Sequence, residues 1–394
     1  MMMREEIEKV IEEVRDRVVE WRRHFHQYPE LSFHEVKTAE KISEILSSFG
    51  NLEISRPVQN SVVADLKGAG EGKTLAIRSD IDALPIREEN EFEFSSKNPG
   101  VMHACGHDGH IAIVLGTAYV LSRLKDKLKG KVRFIFQPAE EVPPGGAKEL
   151  VEKGVLEGVD YIIGQHLWTY LPVGKVGIVY GPMMASDDIF RLKIIGKGGH
   201  AAMPHQAVDP IAISAQVISN LQYIVSRELD PIEPVVITIG KIAGGTTDNV
   251  IPNEVEMAGT VRVLNPGVRK KIPEALERII KGIVTAHRAS YEFYFEFGYG
   301  PVINDERVVK MVEDVTKSLY GEEALEKIKP VMVGEDFSAY LEKVPGAFIF
   351  VGAKNEEKGI IYPHHHPRFN IDEDALEIAL RILVYSAFEL VEKF

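Results

Sequence analysis

Residues 72–85 read GKTLAIRSDIDALP. Leu75, Ala76 and Ile77 form a short apolar run of the kind found in a strand covered on both faces, and the run leads into two acids, Asp80 and Asp82. The arrangement recurs. KVRFIFQPAEE (131–141) is an apolar strand whose C-terminal end carries Glu140 and Glu141. VDYIIGQH (159–166) is another, ending in His166. GAFIFVGA (346–353) precedes a loop holding His364, His365 and His366. Acids or histidines thus follow four separate strands, and open α/β sheets place their sites at the C-terminal ends of strands. Solvated loops with arbitrary polar residues would not repeat that placement.

The densest chemistry lies in MHACGHDGH (102–110), which holds His103, the only cysteine (Cys105), His107, Asp108 and His110. In Cys105-Gly106-His107 the intervening glycine tolerates unusual backbone angles, so both donors can converge on one ion. A lone cysteine is usually a small buried hydrophobe, but the clustering argues for a metal site. In QPAEE, adjacent carboxylates at a strand end point in different directions, so one can bind a metal while the other serves as a base. Cys105, His107, Glu141, His166 and His365 are five candidate ligands of the N/S/O mixture that suits zinc or a similar ion. Five are too many for one catalytic tetrahedral zinc with an open position; they suit two ions sharing a bridging ligand and a water.

Composition narrows the function. The chain has 394 residues, 45% hydrophobic and 27% charged, as expected of a soluble globular protein of two or three domains. A net charge of -13 argues against a nucleic-acid or anionic-membrane partner. One cysteine cannot form an intrachain disulfide, and the N-terminus lacks a secretory apolar core, so a cytoplasmic location is expected. No apolar run approaches the roughly 18 residues of a membrane span. Few Gln and one Cys beside many Glu and Lys lean towards a thermophilic source. The first residues are amphipathic instead: Ile7, Val10, Ile11, Val14, Val18, Trp21 and Phe25 recur near helical spacing, and a second helix is expected over 35–49.

The middle has a different rhythm. From about 185 to 297 the order is strand, helix, strand, strand, helix, strand, the β-α-β-β-α-β order of a ferredoxin-like sandwich. It predicts a domain over 183–297 inserted into an α/β domain made of 1–182 and 298–394, with joints near Gly181-Pro182 and Gly298–Pro301.

RSDIDALPI, MHACGHDGH, QPAEE, GKGGHAAMPHQAVDP (196–210), DNVIPNEVEMAGTVR (248–262) and HHHPRFNIDE (364–373) together resemble the co-catalytic metallopeptidase and amidohydrolase family of aminoacylases, hippurate hydrolases, auxin-conjugate hydrolases and carboxypeptidases. The resemblance runs in order over essentially the whole chain. It implies a catalytic α/β domain with a central mixed sheet, two divalent transition-metal ions (zinc first, cobalt or manganese next), and an inserted lid that forms a homodimer or higher oligomer. It implies Glu140 as general base, Asp82 as the acid supporting the site, and Cys105, His107, Glu141, His166 and His365 as ligands. His200 matches the lid histidine that reaches a neighbouring subunit's site, and Asn249 and Arg262 match substrate-contacting positions. Many members carry His-x-Asp where this chain has Asp80-Ile81-Asp82, so the usual first ligand is absent and the Cys105–Asp108 segment compensates for it.

The expected reaction is hydrolysis of an amide in an N-acyl amino acid or a short peptide cleaved at its C-terminus. Arg262 is equally readable as a cross-strand partner of Glu254 or Glu256. Two other classes fit parts of the pattern. One is a cysteine amidohydrolase with Cys105 as nucleophile and His107 as base, which leaves Glu140, Glu141, His166 and His365 without roles. The other is a metal-dependent binding protein without turnover, which has no need of a carboxylate base.

Overall fold

The computed structural model describes residues 2–392 and divides into two compact units. The first takes the chain up to Gly181, Ile303–Lys329 and the chain from Asp336 on; the second takes Pro182–Val302 and Pro330–Glu335. This differs from the reading of 298–394 as one piece of the first domain. The last strand of the insertion continues to Tyr299, level with Asp187, and Val331 bridges Met184, which ties both short pieces to the second unit.

The first unit is built from α1 (Met2–Gln27), α2 (Val36–Ser47), β1 (Glu53–Ser55), β2 (Val62–Lys67), β3 (Gly70–Asp80), α3 (His107–Arg123), β4 (Lys129–Gln137), α4 (Gly146–Glu152), β5 (Tyr161–Pro172) and β6 (Val176–Ile178). The second unit contributes β7 (Asp187–Ile195), α5 (Pro210–Tyr223), β8 (Val235–Ala243), β9 (Glu254–Val263), α6 (Ile272–Ala286) and β10 (Ser290–Tyr299). The chain then completes the first unit with α7 (Glu306–Tyr320), β11 (Leu325–Lys327), β12 (Gly346–Lys354) and α8 (Asp374–Glu392).

In the first unit eight strands form a mixed sheet in the order β1-β2-β4-β3-β5-β12-β6-β11. β3 is parallel to both β4 and β5, and β12 is parallel to β5. The apolar stripe of α1 (Ile7, Val10, Ile11, Val14, Val18, Trp21, Phe25) is buried, as its spacing demands. α3 is apolar nearly all round because it lies under α1 and α8 and over β3. β5 does not end at His166: it runs to Pro172, since LWTYLP continues the ladder with β12 as far as Lys354. β3 leaves β5 earlier. Their last paired residues are Arg78 and Gly164, and two residues further along lie Asp80 and His166. His166 therefore belongs to the β3 end of the sheet although its own strand continues.

The second unit is a four-stranded antiparallel sheet, β8-β9-β7-β10, with α5 and α6 burying one face. This is the ferredoxin-like order expected. Among the described residues no helix is long and apolar enough to cross a membrane.

Gly259 sits inside β9, where an added methyl would collide with the Thr238 carbonyl oxygen of β8 and the Phe190 ring of β7. Gly259→Ala is expected to lower the unfolding free energy of the second unit by about 1–3 kcal/mol. An unchanged melting temperature would show that the strands do not approach this closely.

Candidate metal centre

The loops after β3 and β4, the start of α3, the middle of β5 and the loop after β12 meet at one point. Gly106 has φ of 87° and ends the MHACG loop in a left-handed turn, so Cys105 and His107 face the same way. The ligand atoms of Cys105, His107 and His166 lie within 4.8 Å of one another, and so do those of Cys105, Glu141 and His365. Cys105 belongs to both triads. Glu140 sits with His107 and Glu141 but in neither cysteine triad.

The tautomers are set by the surroundings. His107 Nδ1 donates to the Asp82 carbonyl at 2.9 Å, with an Asp82 carboxylate oxygen at 3.3 Å. Its Nε2 is buried without a hydrogen bond and faces Glu141 at 3.8 Å and Glu140 at 4.0 Å. His166 Nδ1 donates to the Leu167 carbonyl at 2.8 Å, which leaves Nε2 facing the Cys105 sulfur at 3.5 Å. Backbone carbonyls and carboxylates behind ligating imidazoles fix such rings in metal sites. Glu141 is seated by its own N–H, which donates to Asp82 at 3.0 Å, while the same Asp82 oxygen accepts from the Ser32 hydroxyl at 2.7 Å. His365 Nε2 lies 3.3 Å from Glu141. A sulfur, imidazole nitrogens and a carboxylate converge, and the buried Nε2 of His107 and Oε1 of Glu141 have no hydrogen-bond partner. This donor set fits transition-metal ions.

The electrostatics agree. Burial opposes charge on His107, but Asp80, Asp82 and Glu141 outweigh it and raise the ring to about 10. Burial, then Glu141, Glu140 and Asp80, push the Cys105 thiol well above its ordinary value. A pocket that holds an imidazolium firmly and penalises a thiolate is short of positive charge.

Not every residue of MHACGHDGH joins the centre. Asp108 accepts from the Arg22 guanidinium at 2.9 Å and pairs with His26 at 2.8 Å, and His26 pairs with Glu88 at 3.0 Å. His103 is buried, which pushes it down to about 4, and it belongs to none of the clusters able to hold an ion. His110 has both nitrogens engaged: Nδ1 donates to Asp80 at 2.6 Å and Nε2 accepts the Leu167 N–H at 2.9 Å. Asp80 also receives Arg78 at 2.7 Å, and Arg78 reaches Gln137 at 2.8 Å and Asp336 at 2.8 Å. Asp80 and His110 thus brace His166 through the Leu167 peptide. The i, i+3 spacing from His107 to His110 hinted at this; nothing in sequence paired Arg78 with Asp336.

The other expected site residues lie in the second unit. His200 is exposed on a short ribbon whose strands pair Val250 with His200. Its Nδ1 accepts the Ala202 N–H at 3.1 Å, which leaves Nε2 to carry the proton of the neutral ring. Asn249 is held beside it, its carbonyl accepting the Ala201 N–H at 3.1 Å. Arg262 pairs across strands with Asp187 at 3.0 Å, not with Glu254 or Glu256, which bind Lys193. Arg262 points to the β7 start because it is level with Asp187 in the β7–β9 register.

A model of the peptidase family M20/M25/M40 matches residues 76–389. An N-acyl-L-amino acid amidohydrolase of Geobacillus stearothermophilus is 59% identical over 303 residues, 77% of this chain and 82% of that protein. Thermostable carboxypeptidase 1 of Saccharolobus solfataricus is 42% identical over 377 residues, 95% of each chain. A crystal structure of a dinuclear metal-binding peptidase of the M20 family from Bacillus subtilis has 38% identity and a TM-score of 0.86, covering 97% of this chain and 100% of its own.

Asp80 is spoken for by Arg78 and His110, so it should behave as a structural acid. Asp80→Asn leaves Arg78 partly uncompensated in the core and is expected to cost about 3 kcal/mol of stability. The folded variant should still bind metal at the parental stoichiometry by elemental analysis. Loss of one ion would place Asp80 among the ligands.

Proposed function

Because the chain belongs to peptidase family M20/M25/M40, and so is a metal-dependent enzyme that hydrolyses amide bonds, we propose that it cleaves N-acyl amino acids or the C-terminal bond of short peptides, with Glu140 as general base. The observation that carries this reading is the pair of donor triads sharing Cys105, with the Glu140 carboxylate alongside but in neither. In this reading Cys105, His107 and His166 hold one ion and Cys105, Glu141 and His365 the other. Zinc suits the mixed sulfur, nitrogen and oxygen set; cobalt and manganese are the alternatives. When bound, the ions would acidify a water and polarise the scissile carbonyl.

Glu140 takes the proton of the attacking water and passes it to the nitrogen of the departing amine. Asp82 keeps His107 in the tautomer that presents Nε2, and seats the Glu141 backbone. His200, with its proton on Nε2, is a donor suited to the oxyanion that develops on the carbonyl. We assign it to a second copy of the chain, joined through the inserted unit, whose β8 and β10 edges are open to pairing. Asn249 beside it and the remaining N–H groups of Arg262 would receive the substrate's free carboxylate. A cysteine nucleophile is disfavoured because such a thiol needs a lowered pKa, and burial and three carboxylates raise this one.

Glu140→Gln should retain fold and metal while kcat falls by about 100- to 10,000-fold on an N-acetyl amino acid. Near-parental turnover in that variant would move the base elsewhere.

Mixing supplies the second test. His200→Ala and Glu140→Gln homodimers should each be nearly inactive. Mixed dimers should regain one working site, which combines an intact Glu140 with the other chain's His200. Mixed dimers that form without regaining activity would confine His200 to its own chain or remove it from the reaction.

A further inference from the structure

Ala139, the residue before Glu140, has φ of 54°. For a residue with a Cβ the left-handed region costs roughly 1–2 kcal/mol, so this backbone stays there only if its neighbours hold it. Two hydrogen bonds do so. The Ala139 carbonyl accepts the Gly146 N–H at 3.1 Å. The Ala139 N–H donates to a side chain distant in sequence, Glu35 Oε1, at 2.8 Å.

Glu35 is fully buried, with 0% of its surface exposed. The same oxygen accepts the Phe33 N–H at 3.0 Å, and the other accepts Asn60 Nδ2 at 3.1 Å. Its hydrogen-bond partners are all N–H donors of neutral groups. Burying a carboxylate on such terms is expensive, and a neutral side chain would pack there at lower cost. The loop that carries it also grips the other acidic turn of the site: the Glu30 carbonyl accepts the Ala83 N–H at 2.8 Å, and Ser32 donates to Asp82 at 2.7 Å. One loop, between α1 and α2, thus holds both the Asp80–Asp82 turn and the Ala139–Glu141 turn.

We propose that Glu35 is a positioning residue for the hydrolysis. By accepting the Ala139 N–H it locks the left-handed turn that aims the Glu140 carboxylate and seats Glu141, and it does so without touching substrate or metal. The inference rests on the reading of Glu140 as the base. A misplacement near 1 Å of a reacting group can cost about 100-fold in rate, so a single hydrogen bond at this hinge is enough to matter.

The test uses the full-length enzyme and four substitutions. Glu35→Ala removes the acceptor, Glu35→Asp shortens it beyond reach, and Glu35→Gln keeps a carbonyl oxygen in place. Ala139→Gly removes the cost of the left-handed turn. Glu35→Ala and Glu35→Asp should lower kcat by about 10- to 100-fold, with KM within about threefold and metal content unchanged. Glu35→Gln should stay within about threefold of the parent. Adding Ala139→Gly to either impaired variant should restore part of kcat, because glycine adopts the turn without the acceptor. Hydrogen exchange in the peptide spanning 138–142 should quicken in Glu35→Ala and Glu35→Asp and not in Glu35→Gln.

Unaltered kcat in Glu35→Asp overturns the proposal. So does a Glu35→Gln enzyme as slow as Glu35→Ala, which would make the charge and not the hydrogen bond the active feature. If Glu35→Ala fails to fold, Glu35→Asp with and without Ala139→Gly carries the decision. Glu140→Gln separates the two ideas: an active Glu140→Gln enzyme removes the premise, whereas an inactive one beside a normal Glu35→Asp enzyme removes only the positioning role.

Discussion

Buried negative charge at the end of β3 and β4 is the constraint that organises the first unit. Asp80, Asp82, Glu35 and Glu140 are all buried, and Glu141 nearly so. Carboxylates this close cannot all be ionised in a medium of low dielectric without compensation. The chain answers for some of them. Arg78, itself buried, pairs with both Asp80 and Asp336 and reaches Gln137 at the end of β4. Asp82 spends its oxygens on the Ser32 hydroxyl, the Glu141 N–H and the His107 ring. Asp80, Asp82 and Glu141 nonetheless crowd the His107 ring, and together they outweigh its burial and raise it to about 10. Glu35 shows the same pressure from the far side, where burial and Asp82 push it up to about 7. Divalent cations seated among Cys105, His107, Glu141, His166 and His365 would relieve the repulsion and turn the thiol into a good ligand. Stability and catalysis would then draw on the same ions.

Much of this was legible because it follows period and placement. The stripe of α1, the apolar strands and the β-α-β-β-α-β rhythm read directly, since burial selects apolar residues at fixed intervals. The candidate ligands stood out because cysteine, histidine and paired acids at strand ends are costly residues in unusual positions, and the fold brings their donor atoms together. What was not legible is pairing at long range. Nothing local says that Arg22 belongs to Asp108, 86 residues away, or that Arg78 belongs to Asp336, 258 away. Both are buried charge pairs that exist only once the sheet has assembled. Asp108 and His110 share the dense segment with Cys105 and His107, and sequence alone does not say that they pair with Arg22 and Asp80 instead. The end of β5 was misplaced because a strand's end depends on its neighbours, and β12 stays paired with β5 after β3 has left it.

The backbone carries a further part of the site that has almost no sequence signature. Three turns that deliver donors contain a left-handed residue: Gly106 at 87°, Ala139 at 54° and His365 at 65°. Only the first is a glycine and so announces itself. A left-handed residue reverses the chain sharply, which lets Cys105 and His107, or Ala139's two acidic successors, reach a common point from one loop. For alanine and histidine that geometry is strained, and strain at a site persists only where the surroundings over-determine it. Each strained turn is pinned through its own N–H: Ala139 to the Glu35 carboxylate at 2.8 Å, and His365 to the Ala104 carbonyl at 2.8 Å. The second bond ties the loop after β12 directly to the residue before Cys105. His365 itself is exposed, so packing does not hold it. Its position relative to Cys105 is set by the peptide between them, so two candidate ligands far apart in sequence are spaced by a backbone hydrogen bond.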